Sequence, residues 1–196
     1  MDAKVQKYWC CRKLLLLKRY YRMHSFNIMH LDAKLNLLTL VFIMTNPSKI
    51  KQLAWQRLEE AKILSSHNKC DGAFYLAGYS VELLLKAKIC EKFGVPGLFD
   101  ESDKDAGNTE GIGEIRKAVK THNLFTLLIF SGLKAKFDAD KEINKILSKI
   151  NSLLFGVWSE SARYKPCGYY KPKDVNDLIT LLEDKGGILQ WIENNN

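Results

Sequence analysis

The chain has few of the residues on which familiar chemistries depend. Its five cysteines (Cys10, Cys11, Cys70, Cys90 and Cys167) show no Cys-x-x-Cys spacing and no histidine at ligand distance in sequence. That excludes the common zinc frameworks, so no metal or other cofactor is expected and reduced, buried thiols are the simplest state. Histidine occurs four times, at His24, His30, His67 and His122, which limits any acid–base mechanism built on imidazole. A phosphate-binding P-loop, a dinucleotide Gly-x-Gly-x-x-Gly after a strand, a His-Glu-x-x-His helix and a Gly-x-Ser-x-Gly elbow are all missing. Runs of β-branched residues alternating with polar ones are absent, so strands have no support. No apolar run approaches the roughly 20 residues of a membrane span. The four-leucine run Leu14 to Leu17 is closed by Lys18 and Arg19, not by the small residues of a cleavage site. Neither a membrane partner nor export is expected, and the default location is cytoplasmic.

What is present is 196 residues, 46% apolar, the size and composition of one globular domain. The formal net charge of +8 is unevenly spread, because residues 1–46 hold eight Lys/Arg against two Asp/Glu, leaving 22 positive and 20 negative charges in the remainder. The body has no electrostatic case for sequence-independent phosphate binding. Two readings of residues 1–46 stand: a basic arm facing a membrane surface or RNA, or a non-native prefix ahead of an alternative start at Met44. Residues 47–196 then form the domain.

Helical periodicity dominates that domain. Asn46 or Ser48 caps a first helix to about Ser66, with Ile50, Leu53, Ala54, Leu58 and Ala61 in phase. Asp71 caps a second helix that ends at Phe93 before Gly94, and it is apolar round most of its circumference, which places it at the centre of a bundle. An acidic, glycine-containing stretch follows, with Glu114 to Val119 as a turn or two of helix. A third helix starts at His122 or Asn123 and runs to Gly132. A fourth spans Asp140 to Val157, with Ile143, Ile146, Leu147, Ile150, Leu153, Leu154 and Val157 as a buried stripe. The fifth follows Pro172 and continues to Ile192 across a soft point at Gly186 and Gly187. The expected fold is all-α, an antiparallel up-and-down bundle of four to five helices.

One constellation carries chemistry. Tyr75, Tyr79, Glu82 and Lys86, spaced by 4, 3 and 4 residues, form the polar stripe of the second helix. One account makes it the solvated side of the helix, with Glu82 and Lys86 a modest i,i+4 pair. The other places Trp158, Glu160, Arg163 and Tyr164 beside it, with Glu82 orienting the Arg163 guanidinium for a phosphate or carboxylate.

The segment Ala73-Phe74-Tyr75-Leu76-Ala77-Gly78-Tyr79-Ser80-Val81-Glu82-Leu83-Leu84-Leu85-Lys86-Ala87 resembles the signature helix of the HEPN domains (higher eukaryotes and prokaryotes nucleotide-binding). Thr121-His122-Asn123-Leu124 and Trp158 to Tyr164 fit the same family in the same order. The resemblance implies a helical bundle that pairs as a homodimer, either a metal-independent ribonuclease or toxin with a minimal nucleotidyltransferase partner, or a non-catalytic RNA- or nucleotide-binding module. Catalytic members have Arg, a polar residue and then His, with four to six residues between Arg and His, whereas here Gly168, Tyr169 and Tyr170 hold the positions for that His and no His occurs after His122. A tyrosine, with an ordinary pKa near 10, is a poor base at neutral pH. The expected function is therefore non-catalytic binding of a nucleotide, RNA or protein partner through Tyr75, Tyr79, Glu82, Lys86, Arg163 and Tyr164. The alternative is a diverged endoribonuclease toxin using Arg163 with Tyr169 or His122, although a histidine just before a helix more often caps or packs.

Overall fold

A computed structural model describes residues 46–99 and 111–195. The described residues all belong to one compact unit. The two readings of the basic leading segment lie outside the described residues except at Asn46, as does the centre of the acidic stretch. All regular structure among the described residues is helical.

Helix α1, Pro47–Ser66, begins where sequence chemistry places it. The Asn46 side chain accepts from the Ser48 N–H at 2.9 Å, and Pro47 fills a first-turn position whose N–H would have no helical partner. Its buried face is Ile50, Ala54, Leu58, Ala61 and Ser65. A three-residue link, with Asn68 at φ 56°, turns the chain back into α2, Cys70–Phe93, which ends at Gly94 in the left-handed conformation. Helix α3 is Ile112–Val119 and α4 is Leu124–Phe130, the latter capped by Asn123, whose side chain accepts from the Thr126 N–H at 2.9 Å. Then come α5, Lys134–Ile143, and α6, Lys145–Ile150, which continues as a π-helical turn at Asn151–Phe155. A 3-10 turn, Glu160–Tyr164, precedes α7, Pro172–Glu183, and α8, Ile188–Asn194. Helix α2 is the central rod: it lies along α1 and also meets α4, α7, α8 and the 3-10 turn. Alanines 54 and 61 on α1 and 73, 77 and 87 on α2 are fully buried, and their small side chains let the rods approach closely.

Four details differ from expectation. Asp71 does not cap α2, whose N-cap is Lys69. Its carboxylate instead accepts from the backbone N–H of Gly168 at 2.6 Å and of Tyr170 at 3.0 Å, tying down the loop before α7. The fourth rod is not one helix. Asn144 adopts an extended backbone and its side chain accepts from the N–H of Ile146 and Leu147, so it starts a new helix instead of continuing the old one. Ile143, just before this break, is consequently 86% exposed; Val157, beyond the π-helical turn, is 52% exposed, while Leu147, Ile150 and Leu154 keep the buried stripe. The fifth rod breaks outright between Glu183 and Ile188. A Cβ on Gly187 would lie 2.3 Å from the Leu181 carbonyl oxygen, so the chain turns there through a space only glycine fits. Finally, Cys70 and Cys90 are buried but Cys167 is exposed. No helix among the described residues is long and apolar enough to cross a membrane.

Candidate functional site

The polar stripe of α2 is not a solvated face. Glu82 is 0% exposed, and a buried carboxylate needs partners for its oxygens. It has two. Lys86 Nζ donates to Oε1 at 2.6 Å, and His122 Nδ1 lies 3.0 Å from both Oε1 and Oε2. His122 sits just ahead of α4, where the Asn123 cap fixes the start of the helix. Its ring is half exposed, and Nε2 lies 3.0 Å from Oε2 of Glu160. The ring therefore faces a carboxylate on each side, hydrogen-bonded to Glu82 through Nδ1 and in ion-pair range of Glu160 through Nε2.

Glu160 opens the 3-10 turn that also carries Arg163, and Trp158 holds that turn on α2. The indole is buried, its Nε1 donates to the Tyr75 carbonyl at 3.0 Å, and its ring stacks on Tyr75 at 6.1 Å. It lies directly over Gly78, where a Cβ would come 2.1 Å from Trp158 Cδ1. Tyr75 in turn stacks on Tyr79 at 6.2 Å. Burial, and then the nearby charge of Glu82, push the half-buried Tyr79 phenol above its ordinary pKa.

Arg163 is exposed. Its guanidinium lies 5.0 Å from the centre of the Tyr164 ring, and a hydrogen bond to Tyr164, with smaller contributions from Tyr75, holds its pKa up. The expected pairing of Glu82 with Arg163 is not made, because the oxygens of Glu82 are already engaged by Lys86 and His122. The structure nevertheless brings the two elements together: the Arg163-bearing turn touches the stripe through Trp158 to Tyr75 and through Glu160 to His122. Tyr164 is 76% exposed beside it.

Tyr169 is elsewhere. Its loop is anchored by Asp71, eleven residues before Glu82, which is about 16 Å along a helix axis. It is 54% exposed, with Lys165 over its ring at 5.0 Å. Of the three catalytic candidates, then, His122 and the Arg163 turn meet and Tyr169 does not join them. The role of His122 as a bridge between two carboxylates was not legible from its position before a helix. Glu160 was visible in the sequence without a role, and its one signal is that it stands three residues before Arg163. Side chains three apart overlie one another in a 3-10 turn.

The chain matches no protein-family model, no curated protein and no solved structure.

Proposed function

We propose that the chain is a non-catalytic, HEPN-like helical module that binds an RNA or nucleotide phosphate on the face formed by Tyr75, His122, Arg163 and Tyr164. The observation that supports this is the use of a fully buried carboxylate, Glu82, to fix two basic groups, Lys86 and His122, beside an exposed arginine. Arg163 offers a fork of donors that matches a phosphate, and its aromatic neighbours Tyr164 and Tyr75 offer faces for a base. The body of the chain is nearly neutral, so affinity arises from this local group and not from a general field. His122 supports a binding role over a catalytic one, since both ring nitrogens face carboxylates and neither stands open to take a proton from a ribose hydroxyl. Pairing as a homodimer in the cytoplasm belongs to the same proposal.

The test uses the full chain and a short fluorescein-labelled single-stranded oligouridylate followed by anisotropy. The basic residues 1–46 contribute their own salt-dependent affinity, so the informative quantity is the difference made by Arg163→Ala. A loss of about ten-fold is expected for removal of a charge-assisted phosphate contact. Equal affinity in the two proteins refutes the proposal.

One observation favours a second reading, a diverged metal-independent endoribonuclease. His122 Nε2 lies against the same short turn that carries Arg163, so an imidazole does approach the arginine, from across the bundle instead of from a few residues downstream. Cleavage of the oligonucleotide in EDTA, abolished by both His122→Ala and Arg163→Ala, would establish this reading in place of the first.

A further inference from the structure

We infer that Glu160 is an internal stand-in for the ligand's phosphate, and that binding proceeds by displacing its carboxylate from His122. This rests on the phosphate-binding reading above and adds where the anion sits. Four ionic side chains meet at this point: Glu82 and Lys86 on α2, His122 before α4, and Glu160 on the 3-10 turn. Glu82 is fully buried and held by two partners, so it is a fixed part of the wall. Glu160 differs in every respect. It is 48% exposed, its contact with His122 Nε2 at 3.0 Å is made from the outer side of the ring, and it sits on a turn of only five residues.

The cluster sets two carboxylates, Glu82 and Glu160, against two basic side chains, Lys86 and His122. Moving the Glu160 carboxylate away leaves Nε2 of His122 without its acidic neighbour. A phosphodiester oxygen arriving there takes the carboxylate's place against Nε2. Arg163 stands one 3-10 turn further on and over the same edge, about 6 Å along the axis, so its guanidinium reaches an anion that replaces Glu160. The residue that occupies the site in the free protein therefore also selects against weakly charged ligands: a neutral group gains nothing by displacing a carboxylate from a basic side chain.

The experiment compares the full-length protein with Glu160→Gln and Glu160→Ala by anisotropy, using the labelled oligouridylate and each variant combined with Arg163→Ala. Glu160 is half exposed and outside the core, and two variants of different size guard against a local packing effect. Removal of the competing carboxylate is expected to tighten binding about two- to five-fold, the range of an exposed charge contact, and the gain is expected to vanish with Arg163→Ala. Binding by the wild type that Glu160→Gln and Glu160→Ala leave equal or weaker overturns this inference and leaves the phosphate-binding reading standing. If the oligonucleotide binds neither the wild type nor either Glu160 variant, both are overturned. Binding that appears only in the Glu160 variants supports both.

Discussion

Gly78 lies in the middle of a helix, where glycine costs about 1 kcal/mol relative to alanine. The structure supplies the compensation: Trp158 rests where a side chain would be, and through it the Glu160–Tyr164 turn is seated on α2. Gly78→Ala is expected to lose about 1–3 kcal/mol in urea denaturation, the usual cost of overpacking, in spite of alanine's better helix propensity. It should weaken oligonucleotide binding as well, since Arg163 moves with the turn. A variant as stable as the wild type would show that Trp158 is not held as described. A second residue-scale prediction concerns Asp71. Backbone N–H groups, that of Tyr170 foremost and then Gly168, hold its carboxyl below the usual range. Its contribution to stability is therefore complete above about pH 4, the ordinary value in an unfolded chain, and fades as pH falls through the lower folded value. Asp71→Asn should be less stable than the wild type at neutral pH, with the gap closing in thermal melts taken at progressively lower pH. A gap that stays constant with pH contradicts the assignment. Neither role was readable from the chain alone, because each depends on a contact with a segment some eighty to a hundred residues away, Tyr75 with Trp158 and Asp71 with the Gly168 loop.

The helices as elements were largely legible. Asn46 and Asn123 do cap, Gly94 does stop α2, and the apolar phase of the first two rods is the buried phase. Periodicity failed at the two long C-terminal rods; at the fourth the residue before the break, Ile143, is exposed, and at the fifth the reason is continuity of phase. An apolar phase can continue across a break when both pieces bury the same side, so Leu182 before the break and Leu189 and Ile192 after it are all buried although the helix between them is interrupted. The clues to the breaks were local residues: Asn144, a good cap in mid-pattern, and the Gly186-Gly187 pair. The two glycines make different claims. A Cβ on Gly186 meets nothing nearer than 3.4 Å, whereas one on Gly187 runs into the backbone oxygens of Leu181, Leu182 and Asp184. Gly186→Ala should therefore change stability by no more than about 0.5 kcal/mol, and Gly187→Ala should cost about 2 kcal/mol or more. Similar effects of the two in denaturant titrations would indicate a continuous helix.

For the molecule as a whole, the all-helical character followed from what the chain lacks, and the central position of α2 from its near-complete apolar circumference. The site was half legible. Spacing put Tyr75, Tyr79, Glu82 and Lys86 on one face, and the order of elements brought the Trp158 to Tyr164 segment to it. What spacing could not show is that this face is covered, that Glu82 spends its oxygens on His122 and Lys86, and that Arg163 is thereby left facing solvent. The outcome is a nearly neutral body that carries a small, outward-facing cationic group framed by aromatic rings. That arrangement is the central claim, and it is tested most directly by nuclear magnetic resonance of the full chain titrated with a short oligouridylate. The side-chain nitrogen signals of His122 and Arg163, each assigned by its loss in His122→Asn and Arg163→Lys, report on both ends of the site. The account predicts that both shift together along one saturating curve while the signal of His67, in the α1–α2 link, stays in place. Saturable binding that leaves His122 and Arg163 unmoved would contradict it.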